Sequence, residues 1–183
     1  PSPVARPFLG LATQNPVEME GTYALPEAQR DRFLAQTTLG YPAREAELDM
    51  LTARDVVDPL TRVRAVADAE ALARLSDAVA RVHVSPQVGA FLVGLVRATR
   101  SLPEVLLGAS PRAVLHLARA AKASAAMDGR DFVVPDDITR LAVPVLAHRL
   151  LLAPAGPGRP RPSARDLIED LVLRSQVPRG DGN

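Results

Sequence analysis

Apolar side chains repeat every three or four residues through most of the chain beyond residue 42, which is the spacing of helices that pack on one side. The clearest stripe runs from Leu72 to Val82, and Asp68 before it is suited to cap a helix. Serine followed by proline opens two further segments, because serine caps a helix and proline fits its first turn. The pattern predicts helices over residues 43–52, 69–82, 86–99, 112–127, 136–152 and 163–175.

The first forty residues have a different pattern. Residues 8–12 are all apolar or small, as in a strand of a parallel sheet that is buried on both faces. Proline and then glutamate open a predicted helix over 26–36, and a short strand is predicted over 37–39. A parallel strand needs neighbours, and the rest of the chain supplies hardly any. The predicted fold class is therefore mainly α, with a remnant of an α/β domain followed by an all-helical bundle.

Composition removes several classes of function. The chain has 183 residues, 22 Lys and Arg against 21 Asp and Glu, and no cysteine. Balanced charge and an aromatic content of 3% disfavour a nucleic-acid binder. Disulfides, zinc–cysteine sites and thiol nucleophiles are excluded. Because no apolar run is long enough for a membrane span and residues 1–10 lack the build of a signal peptide, we expect a soluble, cytoplasmic protein.

Motifs for metal binding and covalent catalysis are missing from the sequence. His83, His116 and His148 are more than thirty residues apart, so no metal site is predicted and each is expected at the surface or at a helix end. A nucleophile elbow of the GxSxG type does not occur. Lys122 is the only lysine, and it lies within a predicted helix with no glycine beside it. The chain therefore cannot form a phosphate-binding loop by itself.

Three polar residues are candidates for function. Asn15 follows the first predicted strand, at the edge where parallel sheets bind ligands, although its spacing alone favours a plain Asn-Pro turn. Arg32 follows Asp31, and a solvated ion pair between the two is the simplest account of it. Arg112 lies in the first turn of a predicted helix, where a cation opposes the helix dipole. A bound phosphate or a neighbouring Asp or Glu would relieve that conflict.

Several sequence blocks resemble the MoxR-type family of AAA+ ATPases. Residues 12–42 contain ATQNP, EGTY, LPEAQ, DRF and GYP, which resemble the second half of the nucleotide-binding domain of that family. Residues 108–137 contain GASPR, DGR and VPDD, which resemble its helical lid. The blocks follow the order of the family over essentially the whole chain. The resemblance implies an α/β P-loop NTPase core of which only the end is present, followed by an all-helical AAA lid.

The resemblance also implies roles for the three candidates. Asn15 falls on sensor 1, which orients the attacking water or contacts the γ-phosphate. Arg32 falls on the arginine finger, which reaches the ATP of a neighbouring subunit, and Arg112 falls on sensor 2, where the lid contacts the γ-phosphate. Asn15 and Arg32 are thus expected to be catalytic and Arg112 to bind nucleotide, with no metal ligand in this chain. Arg30 stands where the family often has leucine, so a second arginine adjoins the expected finger.

For the whole protein, the resemblance implies an ATP- and Mg²⁺-dependent, chaperone-like remodeller that forms homo-oligomeric, hexameric rings and matures client complexes, among them von Willebrand factor A-type proteins. The phosphate loop and the magnesium-binding acids are expected before residue 1. We therefore expect this chain to be the C-terminal part of the ATPase, with no cofactor and no ATP hydrolysis of its own. The alternative is a stand-alone helical protein-interaction module without ATPase activity.

The expected domain division has four parts. Residues 1–42 form the end of the nucleotide-binding core, 43–58 a connecting helix, 59–176 the lid and 177–183 a disordered tail. The proline- and glycine-rich residues 154–162 are expected to form an extended linker before the last helix.

Overall fold

The structure, a computed structural model, describes residues 7–14, 25–53, 59–154 and 162–176. Within these ranges the chain is mainly helical, with one small antiparallel sheet. The helices are α1 (Glu27–Arg30), α2 (Arg44–Ala53), α3 (Ala69–Arg81), α4 (Pro86–Ala98), α5 (Pro111–Met127), α6 (Pro135–Leu146) and α7 (Ala164–Arg174). The strands are β1 (Val105–Leu107) and β2 (Leu151–Leu152), and 3₁₀ turns occur at Pro59–Arg62, Thr99–Ser101 and Ala147–Arg149. None of the helices in the described ranges has the length and apolarity needed to cross a bilayer.

The chain divides into two compact units. The first takes residues 1–9 and 37–75, and in its described part it contains α2, one 3₁₀ turn and the beginning of α3. The second takes residues 10–36 and 76–183, and it contains α1, the end of α3, both strands and α4 to α7. The candidate residues Arg32 and Arg112 both belong to the second unit. The expected division at residues 42, 58 and 176 remains a prediction, and the expected disordered tail and most of the expected linker lie outside the described residues.

Both predicted strands of the first forty residues are wrong. Residues 8–12 and 37–39 form no strand, and their large apolar side chains are exposed, Leu39 almost entirely. A strand is stable only when its N–H and C=O groups pair with those of a neighbouring strand. The described residues provide no such neighbour for either segment. The predicted helix over 26–36 is also shorter than expected, since α1 ends at Arg30.

The core lies in the second unit, where α5 packs most extensively against α6. The buried face of α5 carries Ala113, Leu117, Ala121 and Ala125, which recur every four residues and are fully shielded from solvent. Small side chains at three of these positions let the two helices approach closely. Side chains from α4, α6 and α7 complete the core: Val88, Leu92, Leu95, Val96, Ile138, Ala142, Val145, Leu146 and Ile168.

A close crossing of two segments sets the point at which α5 begins. Buried Thr99 donates its hydroxyl to Val96 O at 2.7 Å and accepts the Ala109 N–H at 3.0 Å. A Cβ on Gly108 would lie 2.7 Å from Arg100 Cα, so only glycine fits there. The backbone just before α5 is therefore held firmly against the end of α4.

The strand pair joins the start of α5 to the end of α6. β1 runs antiparallel to β2, with Val105 opposite Leu152 and Leu107 opposite Leu151. The predicted helix over 136–152 ends early, at Leu146, because Pro144 weakens its last turn and the chain then turns into β2. The sheet therefore brings the first turn of α5 into the same part of the unit as residues 147–149.

Candidate functional site

Asp31, directly after α1, places a carboxylate at the N-terminus of α5. Ser110 precedes that helix, but its hydroxyl donates to the two carboxylate oxygens of Asp31, at 2.9 and 3.0 Å, instead of capping the helix. Arg112 in the first turn of α5 lies 3.7 Å from the same carboxylate and is half exposed. The negative charge that the sequence required near Arg112 is thus supplied by Asp31. A contact this long between partly exposed groups is weak, so Arg112 remains able to exchange it for another anion.

Arg149, in the 3₁₀ turn after α6, is the buried centre of this cluster. Its guanidinium donates to the carboxylate of Asp31 at 2.6 Å and to the backbone oxygen of Asp31 at 2.7 Å. It also donates to Phe33 O and, at 3.4 Å, to Leu34 O. Nε caps α6 by donating to Val145 O at 2.7 Å. The side chain is only 1% exposed, so the ion pair with Asp31 is largely shielded from water.

A backbone hydrogen bond adds to this attachment of residues 31–36. The Gln36 N–H donates to Pro144 O at 2.8 Å. That oxygen lies in the last turn of α6, where carbonyl groups lack partners within the helix. The carbonyl group of Pro144 and the side chain of Arg149, both at the end of α6, therefore hold the same segment, residues 31–36.

Arg32 lies inside the segment that Arg149 holds, and its own side chain is exposed. It makes no ion pair with any residue in the described ranges, so the simple pairing with Asp31 considered from the sequence is not observed. Neighbouring residues in a helical turn point in different directions, and Asp31 points to Arg149 instead. Arg30, the second arginine, lies 3.7 Å from Glu27 within α1. Of the two, Arg32 has the freer guanidinium group.

Two histidines lie close to Arg149, and the expectation that all three histidines are at the surface or at helix ends is wrong for His116. His116 lies within α5, and its Nδ1 is 2.7 Å from the Arg149 guanidinium. Because arginine can only donate, His116 must be neutral at Nδ1. Burial, and then the charge of Arg149, lowers the pKa of both His116 and His148 below the usual value. His148 is buried in the turn after α6, and neither ring nitrogen has a hydrogen-bond partner among the described residues.

These lowered values predict that acid weakens the fold of the second unit. As the pH falls below about 6.5, the unfolded chain takes up protons before the folded chain does, so the free energy of unfolding should decrease. The decrease should end below the pKa values of the folded protein. Urea unfolding followed by circular dichroism at intervals from pH 7.5 to pH 5 measures this slope.

A matched pair of variants assigns the effect. His116→Asn keeps an acceptor near Arg149 but cannot titrate, and it should flatten the slope. His83→Asn, which removes an exposed histidine just after α3, is the control for the loss of a histidine as such. An unchanged slope in His116→Asn would contradict the prediction.

A second polar cluster lies at the opposite end of α5. Asp137, fully buried, accepts two hydrogen bonds of 2.8 Å from Arg130 and one of 3.0 Å from Ser124. It also accepts the Val134 N–H, which completes the start of α6. These hydrogen bonds, above all those from Arg130, hold the pKa of Asp137 at about 2. This network borders an open hollow of about 660 Å³. The charges of the network neutralise one another. The length of α5 places the network roughly 25 Å from Arg112.

The acids of VPDD therefore lie in the first turn of α6, at a helix N-terminus. No cluster of three potential metal ligands occurs among the residues that the structure describes. Asn15, predicted to be catalytic, lies outside the described residues together with Pro16 and the whole EGTY block. The structure thus places Arg32 directly after Asp31, whose carboxylate lies 3.7 Å from the second candidate, Arg112. Sequence reasoning missed the roles of Arg149 and His116.

Comparisons with known proteins agree with this architecture. The family described as "ATPase family associated with various cellular activities (AAA)" matches residues 1–35, and the AAA lid domain family matches residues 97–171. A proposed ATPase of known structure from Cytophaga hutchinsonii superposes with a TM-score of 0.84 at 34% identity, over 97% of this chain and 56% of that one. The end of an AAA+ core followed by its lid is therefore the class that this fold defines.

Similarity to individual proteins narrows the class to one family. The chain is 41% identical over 160 residues to "Chaperone MoxR1" of Mycobacterium tuberculosis, and 44% identical over 151 residues to "Uncharacterized protein YeaC" of Bacillus subtilis. Each alignment covers 82% of this chain, and respectively 42% and 47% of the relative. The chain belongs to the MoxR-type AAA+ ATPases, and it spans about half the length of the curated relatives it matches.

Proposed function

We propose that this chain is part of an ATP-hydrolysing, chaperone-like remodeller. The observation that carries the proposal is the single carboxylate of Asp31, which joins the turn bearing Arg32 to the helix N-terminus bearing Arg112. An exposed arginine on a firmly held turn is suited to reach the nucleotide of a neighbouring subunit. An arginine at a helix N-terminus is suited to bind a phosphate.

The two arginines receive different roles in the proposal. Arg32 stabilises charge that develops on the transferring phosphoryl group, as an arginine finger, whereas Arg112 binds the γ-phosphate as sensor 2. For Arg112, phosphate would replace the long contact with Asp31, and the positive end of the α5 dipole would add to binding. Asn15 completes the site as sensor 1.

ATP and Mg²⁺ are the expected cofactors of the intact protein, because the AAA family implies both. Arg112 fits a phosphate group by its charge and position. For Mg²⁺ we assign the ligands to the part of the intact protein that this chain does not include. We further propose that the intact protein acts in the cytoplasm as a hexameric ring of identical subunits, and that its clients are protein complexes that include von Willebrand factor A-type proteins.

ATP turnover by two proteins tests the proposed function. The intact protein should release phosphate in an ATP- and Mg²⁺-dependent manner, whereas the 183-residue chain should neither bind ATP tightly nor hydrolyse it. A mock purification from cells that lack the chain controls for contaminating ATPases. Turnover by the chain alone above that background would disprove its assignment as an incomplete site. Absence of turnover by the intact protein would favour the helical interaction module.

A further inference from the structure

We propose that Arg149 is the positioning residue that fixes the backbone around Arg32, an inference that rests on the proposed role of Arg32 as an arginine finger. Arg149 does not reach nucleotide in this proposal. Its task is to hold the main chain on both sides of Arg32 so that the guanidinium of Arg32 is presented from a rigid turn.

The hydrogen bonds of Arg149 are distributed as this task requires. Nη1 donates to the backbone oxygen and the carboxylate of Asp31, the residue before Arg32. Nη2 donates to the backbone oxygens of Phe33 and Leu34, the two residues after it. A single buried side chain thus contacts backbone on both sides of Arg32 and leaves the Arg32 side chain exposed.

The turn needs this support because it cannot hold itself. α1 has four residues, about one helical turn, and an isolated helix of that length is unstable in water. None of the residues of α1 is fully buried, so packing adds little to the stability of the helix. The Gln36–Pro144 bond adds a further attachment on the C-terminal side. The conformation of residues 31–36 therefore depends on contacts from the end of α6.

Lysine cannot replace arginine at this position. The guanidinium of Arg149 donates from all three nitrogens. Its acceptors are Val145 O, oxygens of Asp31, Phe33 and Leu34, and Nδ1 of His116. A lysine ammonium donates from one atom and cannot span acceptors that lie on three different elements. Charge alone is thus insufficient for the proposed role, which separates it from a simple ion pair with Asp31.

The first test measures ATP turnover and nucleotide binding by the intact protein with Arg149→Met and Arg149→Lys. Both variants should lower kcat by about 100-fold, since a displacement of about 1 Å in a catalytic group costs that much, and should leave the affinity for nucleotide within about twofold. Arg165→Met, which removes an exposed arginine paired with Glu169 on α7, is the matched control and should keep wild-type turnover. Wild-type turnover in Arg149→Lys would overturn the proposal.

A double variant asks whether Arg149 acts through Arg32. If it does, Arg149→Lys combined with Arg32→Ala should turn over ATP no more slowly than Arg32→Ala alone. Multiplication of the two losses would show that Arg149 affects turnover by another route, and would overturn the proposal. A loss of stability without a positioning role would also lower the nucleotide affinity of the single variant.

Amide hydrogen exchange of the chain alone gives a readout that does not need ATPase activity. In Arg149→Lys the amides of residues 31–36, Gln36 among them, should exchange faster, while those of α4 and α5 keep their protection. Asp31→Asn, which keeps the backbone acceptors, provides a milder variant should Arg149→Lys fail to fold, and it should loosen the same segment. Unchanged exchange of the amides of residues 31–36 would overturn the proposal. If the intact protein does not turn over ATP at all, the proposed function is wrong, and the exchange result alone then decides whether Arg149 holds this segment.

Discussion

Arg32→Ala in the intact protein should reduce ATP turnover by about 10³-fold or more and leave the affinity for nucleotide nearly unchanged. The reason is that an arginine finger contributes when charge develops in the transition state, and contributes little to the bound ground state. Phosphate release measures the first quantity, and equilibrium binding of a fluorescent ATP analogue measures the second.

The neighbouring arginine provides the control. Arg30 is 3.7 Å from Glu27 on the same short helix, so Arg30→Ala should change turnover by only a few-fold. Equal losses of binding and turnover in Arg32→Ala would instead indicate a structural role for Arg32. A loss in Arg30→Ala as large as that in Arg32→Ala would move the finger assignment to Arg30.

Asp137→Ala should cause the largest loss of stability, about 3 kcal/mol, because it removes the buried partner of Arg130 and the acceptor at the start of α6. Arg130 is itself one-quarter exposed, so water compensates part of its lost ion pair. Urea unfolding at pH 7 measures the change. Since the pKa of Asp137 is lowered to about 2, its contribution is present above the ordinary pKa of 3.8 and disappears as the pH falls through 2.

Asp136→Ala is the matched control for this variant. Asp136 precedes Asp137 in the first turn of α6, but it is exposed and forms no ion pair with any of the described residues. Its loss should cost about 0.5 kcal/mol, the value of an acid near a helix N-terminus. Similar losses in the two variants would show that the buried network contributes no more than the helix dipole does.

Helix starts could be predicted because their signals are local. Asp68 accepts the Ala71 N–H at 2.7 Å, and Ser163 accepts the Asp166 N–H at 3.1 Å, each three residues along the chain. Gly129 closes α5 with φ +74°, a backbone conformation that favours glycine after a helix end. Such signals depend mainly on neighbouring residues, although a distant group can take the capping side chain, as the Asp31 carboxylate does with the Ser110 hydroxyl.

Features that depend on distant residues could not be predicted in this way. The apolar run at 8–12 has the composition of a buried strand, but composition does not supply a partner strand. The two strands that do form, β1 and β2, are short and nearly 50 residues apart, without a periodic signal of their own. Arg149 and Asp31 are 118 residues apart, and only the fold shows that they meet. The family blocks therefore mark Arg32 and Arg112 as candidates, whereas the contacts that support these two residues depend on the fold.

The solitary lysine gives the chain one further property. Lys122 lies on α5 and donates to Ala80 O at the end of α3, at 2.8 Å, with its ammonium group near the surface. It is the only side-chain primary amine among the 183 residues. An amine-selective dye or cross-linker would therefore attach to this chain at one defined side chain, on the helix whose first turn carries Arg112, and would report on that helix without any engineered residue.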